Sequence, residues 1–141
     1  MENTGYLQWG PSLETEISII DEQHKMLVEM CNQANRKLQD RIDKEFVEQI
    51  VHDLMSYALY HFETEEELML EYDYSEKSAE AAARHIAEHR SFSETVAGVK
   101  LALVKGELIS RENLMGFLNG WLVNHIMNTD MQLAKFLHEA R

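Results

Sequence analysis

The sequence is poor in residues that interrupt helices and in residues that cross-link secreted proteins. It contains one proline, six glycines and one cysteine in 141 residues. So little proline and glycine disfavours collagen-like, linker-rich and disordered architectures. The single Cys31 cannot form a disulfide within the chain, which agrees with a reducing compartment. We therefore expect one globular domain over residues 1–141.

Basic residues are also scarce, with 13 lysines and arginines against 25 aspartates and glutamates, for a formal net charge of −12. Such a surface repels nucleic acid and anionic membranes, so we expect neither as a partner. No apolar run approaches the roughly 18 residues needed to cross a bilayer. The first residues lack the basic-then-apolar pattern of a secretory signal. We expect a cytoplasmic protein, with a monomer favoured over an oligomer.

What the sequence does contain is apolar residues at helical spacing from residue 17 onward. They predict four helices, over about 18–39, 44–72, 76–105 and 111–138. The expected N-caps include Ser18, Ser75 and Ser110, and Gly106 is expected to end the third helix. Long helices with short connections pack as antiparallel neighbours, so the predicted fold is all-α, an up-down-up-down four-helix bundle. Residues 1–16 are predicted to form a non-helical N-terminal arm.

Seven polar side chains interrupt the apolar rows that these helices should bury. On the first helix, for example, stepping by seven residues places His24 on the same row as Ile17 and Leu38. The same stepping finds the others at core positions of the remaining helices. The seven residues are His24, His61, Glu65, His85, His89, His125 and Asp130.

Counting from the predicted turns places these seven residues at one height in the bundle. His24 and His61, for instance, lie about equally far from the turn near residue 42. Burying such groups without partners would cost several kcal/mol each, and a bound metal removes that cost. Imidazole and carboxylate suit iron, zinc, copper or manganese, and seven ligands exceed what one tetrahedral ion needs. Two ions bridged by the carboxylates therefore fit better than one.

Two pairs of polar residues have a spacing that suits a shared centre, and a third pair does not. His61 and Glu65 are four residues apart, as are His85 and His89, so both members of each pair can face one side of a regular helix. His125 and Asp130 are five residues apart, which is ~140° of rotation. Either the two side chains reach around the backbone or the helix carries a π-type bulge there, so we predict a local irregularity between His125 and Asp130.

Four motifs, in this order, resemble those of the hemerythrin family, the non-haem di-iron oxygen-binding bundles. They are Asp21-x-Gln23-His24, His61-Phe62-x-x-Glu65-Glu66, His85-x-x-x-His89-x-x-Phe92 and Trp121-Leu122-x-x-His125-Ile126-x-x-x-Asp130. The interval from Glu65 to His85 is longer than is typical of the family, and Ser75 follows Tyr74 where a proline is common.

By position, the resemblance implies two iron ions with different ligand sets. One six-coordinate iron would take its terminal ligands from His85, His89 and His125. The other would take them from His24 and His61 and keep an open position for dioxygen. Glu65 and Asp130 would bridge the ions, together with a solvent-derived oxo or hydroxo group.

The resemblance also implies an oxygen pocket with apolar walls that exclude water. The matching positions are Leu27, Phe62, Trp121 and Ile126. The implied function is reversible dioxygen binding for storage, delivery or sensing, without a catalytic step. The alternatives are a di-iron enzyme acting on oxygen, peroxide or nitric oxide, and an iron-storage or iron-sensing protein. Oxygen-activating bundles typically use carboxylate-rich sets with Glu-x-x-His motifs, which disfavours the enzyme.

Overall fold

The computed structural model describes residues 7–40, 44–107 and 110–140, which are helical apart from short connections and the segment before the first long helix. The helices are α1 (Ser18–Asp40), α2 (Lys44–Glu71), α3 (Tyr74–Lys77), α4 (Ala79–Val104), α5 (Arg111–Asn124) and α6 (Met131–Ala140). A π segment, His125–Asp130, joins α5 to α6, so the three form one long fourth helix. The predicted all-α bundle is confirmed. Of the helices described, none is long and apolar enough to cross a membrane.

The first and fourth long helices run antiparallel. Nε of Arg111, at the start of α5, donates to the carbonyl oxygen of Asn35 near the end of α1, at 3.4 Å. At the opposite end, the His138 ring in α6 lies 2.9 Å from the carbonyl oxygen of Thr15, just before α1. Short connections give consecutive helices the same antiparallel arrangement.

The connection between α2 and α4 differs from the prediction. Ser75 does not cap the third long helix, because it lies inside the short helix α3. The chain bends at Ser78, with φ −142° and ψ 62°, and α4 begins at Ala79 rather than at residue 76. Asp73, immediately before α3, has a φ of 59°. Aspartate adopts this left-handed conformation more readily than most residues, which suits a sharp turn.

The extra residues between α2 and α4 close one end of the bundle. Tyr74 of α3 is 1% exposed, and its ring centroid lies 4.8 Å from that of Phe136 in α6. The long interval between Glu65 and His85 therefore contains a buried aromatic residue, Tyr74, which is held by its apolar contacts.

Two of the predicted helix boundaries are confirmed. The side chain of Ser110 accepts a hydrogen bond from the backbone N–H of Asn113 at 3.0 Å, as an N-cap should. The chain leaves α4 through Gly106, whose φ of 89° is easily adopted only by glycine. Gly106 follows the helix that carries His85 and His89. Ser110 precedes the long fourth helix, which carries His125 and Asp130.

The start of α1 is stabilised differently from the prediction. Helix α1 begins at Ser18 itself, so Ser18 is not its N-cap. Instead the Asp21 carboxylate accepts hydrogen bonds from the backbone N–H groups of Thr15 and Glu16, at 2.8 and 3.0 Å, and from the Thr15 hydroxyl at 2.7 Å. These bonds hold Glu16 in the left-handed region, with a φ of 63°. The predicted arm thus ends in a fixed turn. Its residues 1–6 lie outside the described residues. The described part of the arm contains one 3-10 turn at Pro11–Leu13.

The apolar core falls into two clusters along the bundle axis. The larger cluster includes Leu27, Leu54 and Phe92. The smaller one lies toward α3 and includes Met69 and Leu133. Between these two clusters lie the buried polar residues, so the fold presents them in the middle of the bundle and away from water.

We expect Asp21→Ala to lower the free energy of unfolding by about 1–2 kcal/mol, because two backbone N–H groups and a hydroxyl lose their acceptor. Urea unfolding of chelator-treated protein, followed by circular dichroism, measures this cost. The matched control is Glu22→Ala on the adjacent exposed residue, with an expected change within about 0.5 kcal/mol. Equal costs for the two variants would contradict this role of Asp21.

Candidate metal centre

The seven polar residues predicted from the apolar rows come together in the middle of the bundle. All are buried. Each long helix supplies at least one: α1 supplies His24, α2 supplies His61 and Glu65, α4 supplies His85 and His89, and the π segment supplies His125 and Asp130. The sequence prediction of a single polar layer is confirmed in its geometry.

The ligand atoms of the seven residues form two overlapping groups, and within each group they lie within 4.8 Å of one another. One group consists of His85, His89 and His125 with Glu65 and Asp130; the other consists of His24 and His61 with the same two carboxylates. Because both groups share both carboxylates, the arrangement could hold two cations side by side. The two positions differ by one imidazole.

Imidazole nitrogens face each other at the centre of this cluster. Nε2 of His24 lies 3.1 Å from Nε2 of His61, and Nε2 of His89 lies 3.2 Å from Nε2 of His125. Two unprotonated nitrogens at such distances repel each other, because each presents a lone pair. A proton or a metal cation between them removes this repulsion.

The buried carboxylates have unused capacity for a cation. Oε2 of Glu65 and both carboxylate oxygens of Asp130 have no hydrogen-bond partner among the described residues. Nε2 of His24 does lie 2.7 Å from Oδ2 of Asp130, but without hydrogen-bond geometry. Fully buried carboxylate oxygens and converging imidazole nitrogens together form a donor set that fits two divalent transition-metal ions.

Three of the imidazoles are oriented by acceptors on their outer side. Nδ1 of His61 donates to Oε1 of Gln23 at 2.7 Å, Nδ1 of His125 to Oε1 of Glu88 at 2.7 Å, and Nδ1 of His89 to Oε2 of Glu66 at 2.9 Å. An acceptor at Nδ1 holds the proton there and leaves the Nε2 lone pair directed at the centre. These contacts thus fix the three rings with Nε2 directed at the centre.

These three acceptors were not among the predicted site residues. Gln23 and Glu66 belong to two of the motifs, so the motifs contained a signal for them. Glu88 has no such signal, because its role depends on reaching from α4 to the fourth helix. The Thr129 hydroxyl donates to the same Glu88 oxygen at 2.7 Å and fixes it beside His125.

Carboxylates and imidazoles in the cluster shift each other's ionisation. Burial raises the pKa of Glu65, but attraction to the protonated form of His61 and hydrogen bonds from His125, His85 and His89 outweigh burial and hold this pKa well below its usual range. Burial lowers the pKa of His85, but the carboxylates of Asp130 and Glu65, 3.0 and 3.2 Å from its Nε2, outweigh burial and raise it to about 9. Burial lowers the pKa of His61 to about 4. At neutral pH, His85 is protonated and His61 is not.

The predicted irregularity between His125 and Asp130 is confirmed. Residues His125–Asp130 form one π turn, flanked by ordinary helical dihedral angles at Asn124 and Met131. Both side chains are buried and face the cluster. A regular helix would separate them by ~140°, whereas hydrogen bonds between residues five apart bring them onto one side. The π turn therefore allows one helix to supply both groups.

A small cavity of about 20 Å³ lies in the apolar core between α1, α2, α4 and α5, and its lining includes Leu27, Phe62 and Trp121. Three of the four predicted pocket residues thus line one cavity. The fourth, Ile126, is fully buried in the same core cluster but does not line this cavity. Cys31 also lines the cavity, and burial raises the pKa of its thiol to about 12, so the thiol stays protonated.

The cavity walls stack directly on two imidazoles of the cluster. The ring of Phe62 lies parallel to that of His89, with centroids 4.0 Å apart. The ring of Trp121 lies parallel to that of His125, with centroids 4.4 Å apart. Phe62 and Trp121 therefore contact both the cavity and the cluster.

Comparison with known proteins agrees with these observations. The family model of the Hemerythrin HHE cation binding domain matches residues 15–137. This chain belongs to the hemerythrin family. A bacteriohemerythrin of Pseudomonas aeruginosa is 34% identical over 125 residues, which cover 89% of this chain and 77% of the relative. A myohemerythrin of Theromyzon tessulatum is 31% identical over 125 residues, which cover 89% of this chain and 88% of the relative.

A solved structure supports the same assignment. The crystal structure of a wild-type hemerythrin superimposes with a TM-score of 0.80 at 25% sequence identity, covering 92% of this chain and 95% of that one. The hemerythrin family implies non-haem iron, and the matched range contains the whole buried cluster. Iron is therefore the metal to test first at this centre.

We expect metal uptake at about pH 7 to release protons. With a pKa raised to about 9, His85 carries a proton that must leave before its nitrogen binds a cation. The apparent affinity should therefore rise as the pH increases toward about 9. Titration of chelator-treated protein with cobalt(II) in weak buffer, with a pH indicator, measures the protons released and the apparent affinity at each pH. Affinity that does not change with pH would contradict this ionisation state.

Proposed function

We propose that this chain binds dioxygen reversibly at a non-haem di-iron centre, for oxygen storage, delivery or sensing. The observation that carries the proposal is the pair of overlapping donor groups, three imidazoles on one side and two on the other, with two carboxylates in common. When bound, the iron pair would supply the dioxygen-binding chemistry, and an oxo or hydroxo group would complete the bridge. The position with fewer imidazoles would be the one left open to dioxygen.

Each residue of the cluster would be a metal ligand. One ion would be bound by His85, His89 and His125, and the other ion by His24 and His61. Both ions would be bound by Glu65 and Asp130. The acceptors behind three of these imidazoles hold their Nε2 atoms toward the centre, so little rearrangement of the rings accompanies metal binding. The two flanking apolar clusters exclude water from the layer.

The small apolar cavity is the proposed oxygen pocket. Leu27, Phe62 and Trp121 line it, and Ile126 packs in the same cluster. A cavity of about 20 Å³ has room for about one water-sized molecule. Apolar walls favour an uncharged diatomic ligand over water and protect it from proton transfer.

Cavity size also favours a binding protein over an oxidase of organic substrates. Pockets that bind such substrates typically measure roughly 300–1,000 Å³, far more than this cavity. The five imidazoles and two carboxylates likewise differ from the carboxylate-rich sets of oxygen-activating bundles. We therefore propose binding without turnover of an organic substrate. A di-iron enzyme acting on peroxide or nitric oxide, or iron storage, is the second candidate.

The remaining attributes follow from composition. A net charge of −12 and a single buried cysteine lead us to propose a single-domain, monomeric, cytoplasmic protein. Nucleic acid and anionic membranes are not proposed as partners, because this charge repels both.

Anaerobic reconstitution with ferrous iron tests the proposal directly. We expect two irons per chain and a visible charge-transfer band that appears on exposure to oxygen and disappears when oxygen is removed. Rapid irreversible oxidation with peroxide consumption or release would support the enzyme candidate instead. Binding of many irons per chain would support storage.

We expect Leu27→Ala to shorten the lifetime of the oxygenated protein without lowering its iron content, because removing this side chain opens part of the apolar wall that shields the bound ligand. The decay of the oxygen-dependent band at constant temperature measures that lifetime. A matched control is Leu103→Ala, also buried but outside the cavity lining. Both variants should lose about 2–5 kcal/mol of stability. A similar lifetime in both would contradict the assignment of this cavity.

A further inference from the structure

The two metal positions differ in the groups that support their imidazoles from behind. At the three-imidazole position, two of the three Nδ1 atoms donate to carboxylates. His89 donates to Glu66 at 2.9 Å and His125 to Glu88 at 2.7 Å. This position therefore has two negatively charged acceptors in its surroundings.

The two-imidazole position has no carboxylate acceptor of this kind among the described residues. Nδ1 of His61 donates to the amide oxygen of Gln23 at 2.7 Å. Nδ1 of His24 is buried and has no hydrogen-bond partner in the described part of the chain. Within residues 7–40, 44–107 and 110–140, the one acceptor behind this pair of imidazoles is therefore a neutral amide.

A chain of hydrogen bonds fixes the orientation of that amide. The Thr64 hydroxyl donates to the carbonyl oxygen of Tyr60 at 3.2 Å. The Thr64 oxygen is therefore an acceptor for Nε2 of Gln23 at 3.0 Å. With its NH₂ group used in this way, Gln23 must present its oxygen to His61. Gln23 is also buried, so water does not compete for these contacts.

The charge of the acceptor affects the metal through the imidazole. A carboxylate draws the Nδ1 proton more strongly than an amide does, which makes the imidazole a better electron donor to a metal at Nε2. Greater electron donation stabilises the trivalent ion over the divalent one. A neutral acceptor therefore leaves the reduction potential of the two-imidazole ion higher than a carboxylate would.

We propose that Gln23 is a positioning residue that orients His61 while keeping the two-imidazole ion in its divalent form. Its neutral amide fixes the ring without adding the electron density that would favour loss of one electron from that ion to dioxygen. The inference rests on the proposed function, since it concerns the iron-loaded protein. It predicts that the charge at residue 23, rather than its shape alone, sets the redox behaviour of the centre.

Two substitutions of similar size separate charge from shape. Gln23→Glu places a carboxylate behind His61, and the Thr64 hydroxyl can turn to donate to it. We expect a lower midpoint potential and about tenfold faster loss of reversible oxygen binding. Gln23→Met removes the acceptor, and we expect a higher midpoint potential. Spectroelectrochemistry of iron-loaded protein measures the potentials.

Shifts in opposite directions are the expected result. Shifts in the same direction, or an unchanged potential in Gln23→Glu, would overturn the proposal, because a purely structural role would make both variants respond alike. Glu66→Gln, the reverse exchange behind His89, should raise the potential and provides the matched control. If Gln23→Glu binds fewer than two irons, the test rests on the midpoint potentials of Gln23→Met and Glu66→Gln. Both potentials should rise, and a fall in either one would overturn the proposal. Failure of the wild-type protein to bind two irons would instead refute the proposed function.

Discussion

Two carboxylates buried among imidazoles are the constraint on which the rest of this structure depends. Glu65 and Asp130 are 0% exposed in the middle of an apolar bundle. Without compensation, each would cost several kcal/mol. Histidines from all four long helices supply that compensation, and two cations would complete it. Because every helix must deliver its histidine to one layer, the layer fixes the register of the whole bundle.

The departures from regular helical structure follow from this requirement. The fourth helix must supply both His125 and Asp130, and the π turn makes that compatible with one continuous helix. At the smaller apolar cluster, α3 inserts Tyr74 against Phe136, which closes the bundle beside the polar layer. The layer therefore has dry apolar packing on both sides, as a centre that binds a small uncharged ligand requires.

Much of this arrangement could be predicted because buried rows repeat along each helix. That periodicity located all seven cluster residues, and the five-residue spacing from His125 to Asp130 predicted the irregular turn. The separate helix α3 could not be predicted, since Ser75 is an ordinary N-cap residue by type and only the packing of Tyr74 shows that the long helix begins later. The role of Glu88 was also hidden, because it depends on a contact between helices.

We propose that one chain holds two irons in unequal surroundings and that both respond to dioxygen together. The Mössbauer spectrum of anaerobically iron-loaded protein distinguishes these two environments. The donor groups predict two high-spin ferrous environments in equal amounts, both of which change on exposure to oxygen and return when oxygen is removed. A single iron environment, or a change that does not reverse, would contradict this account.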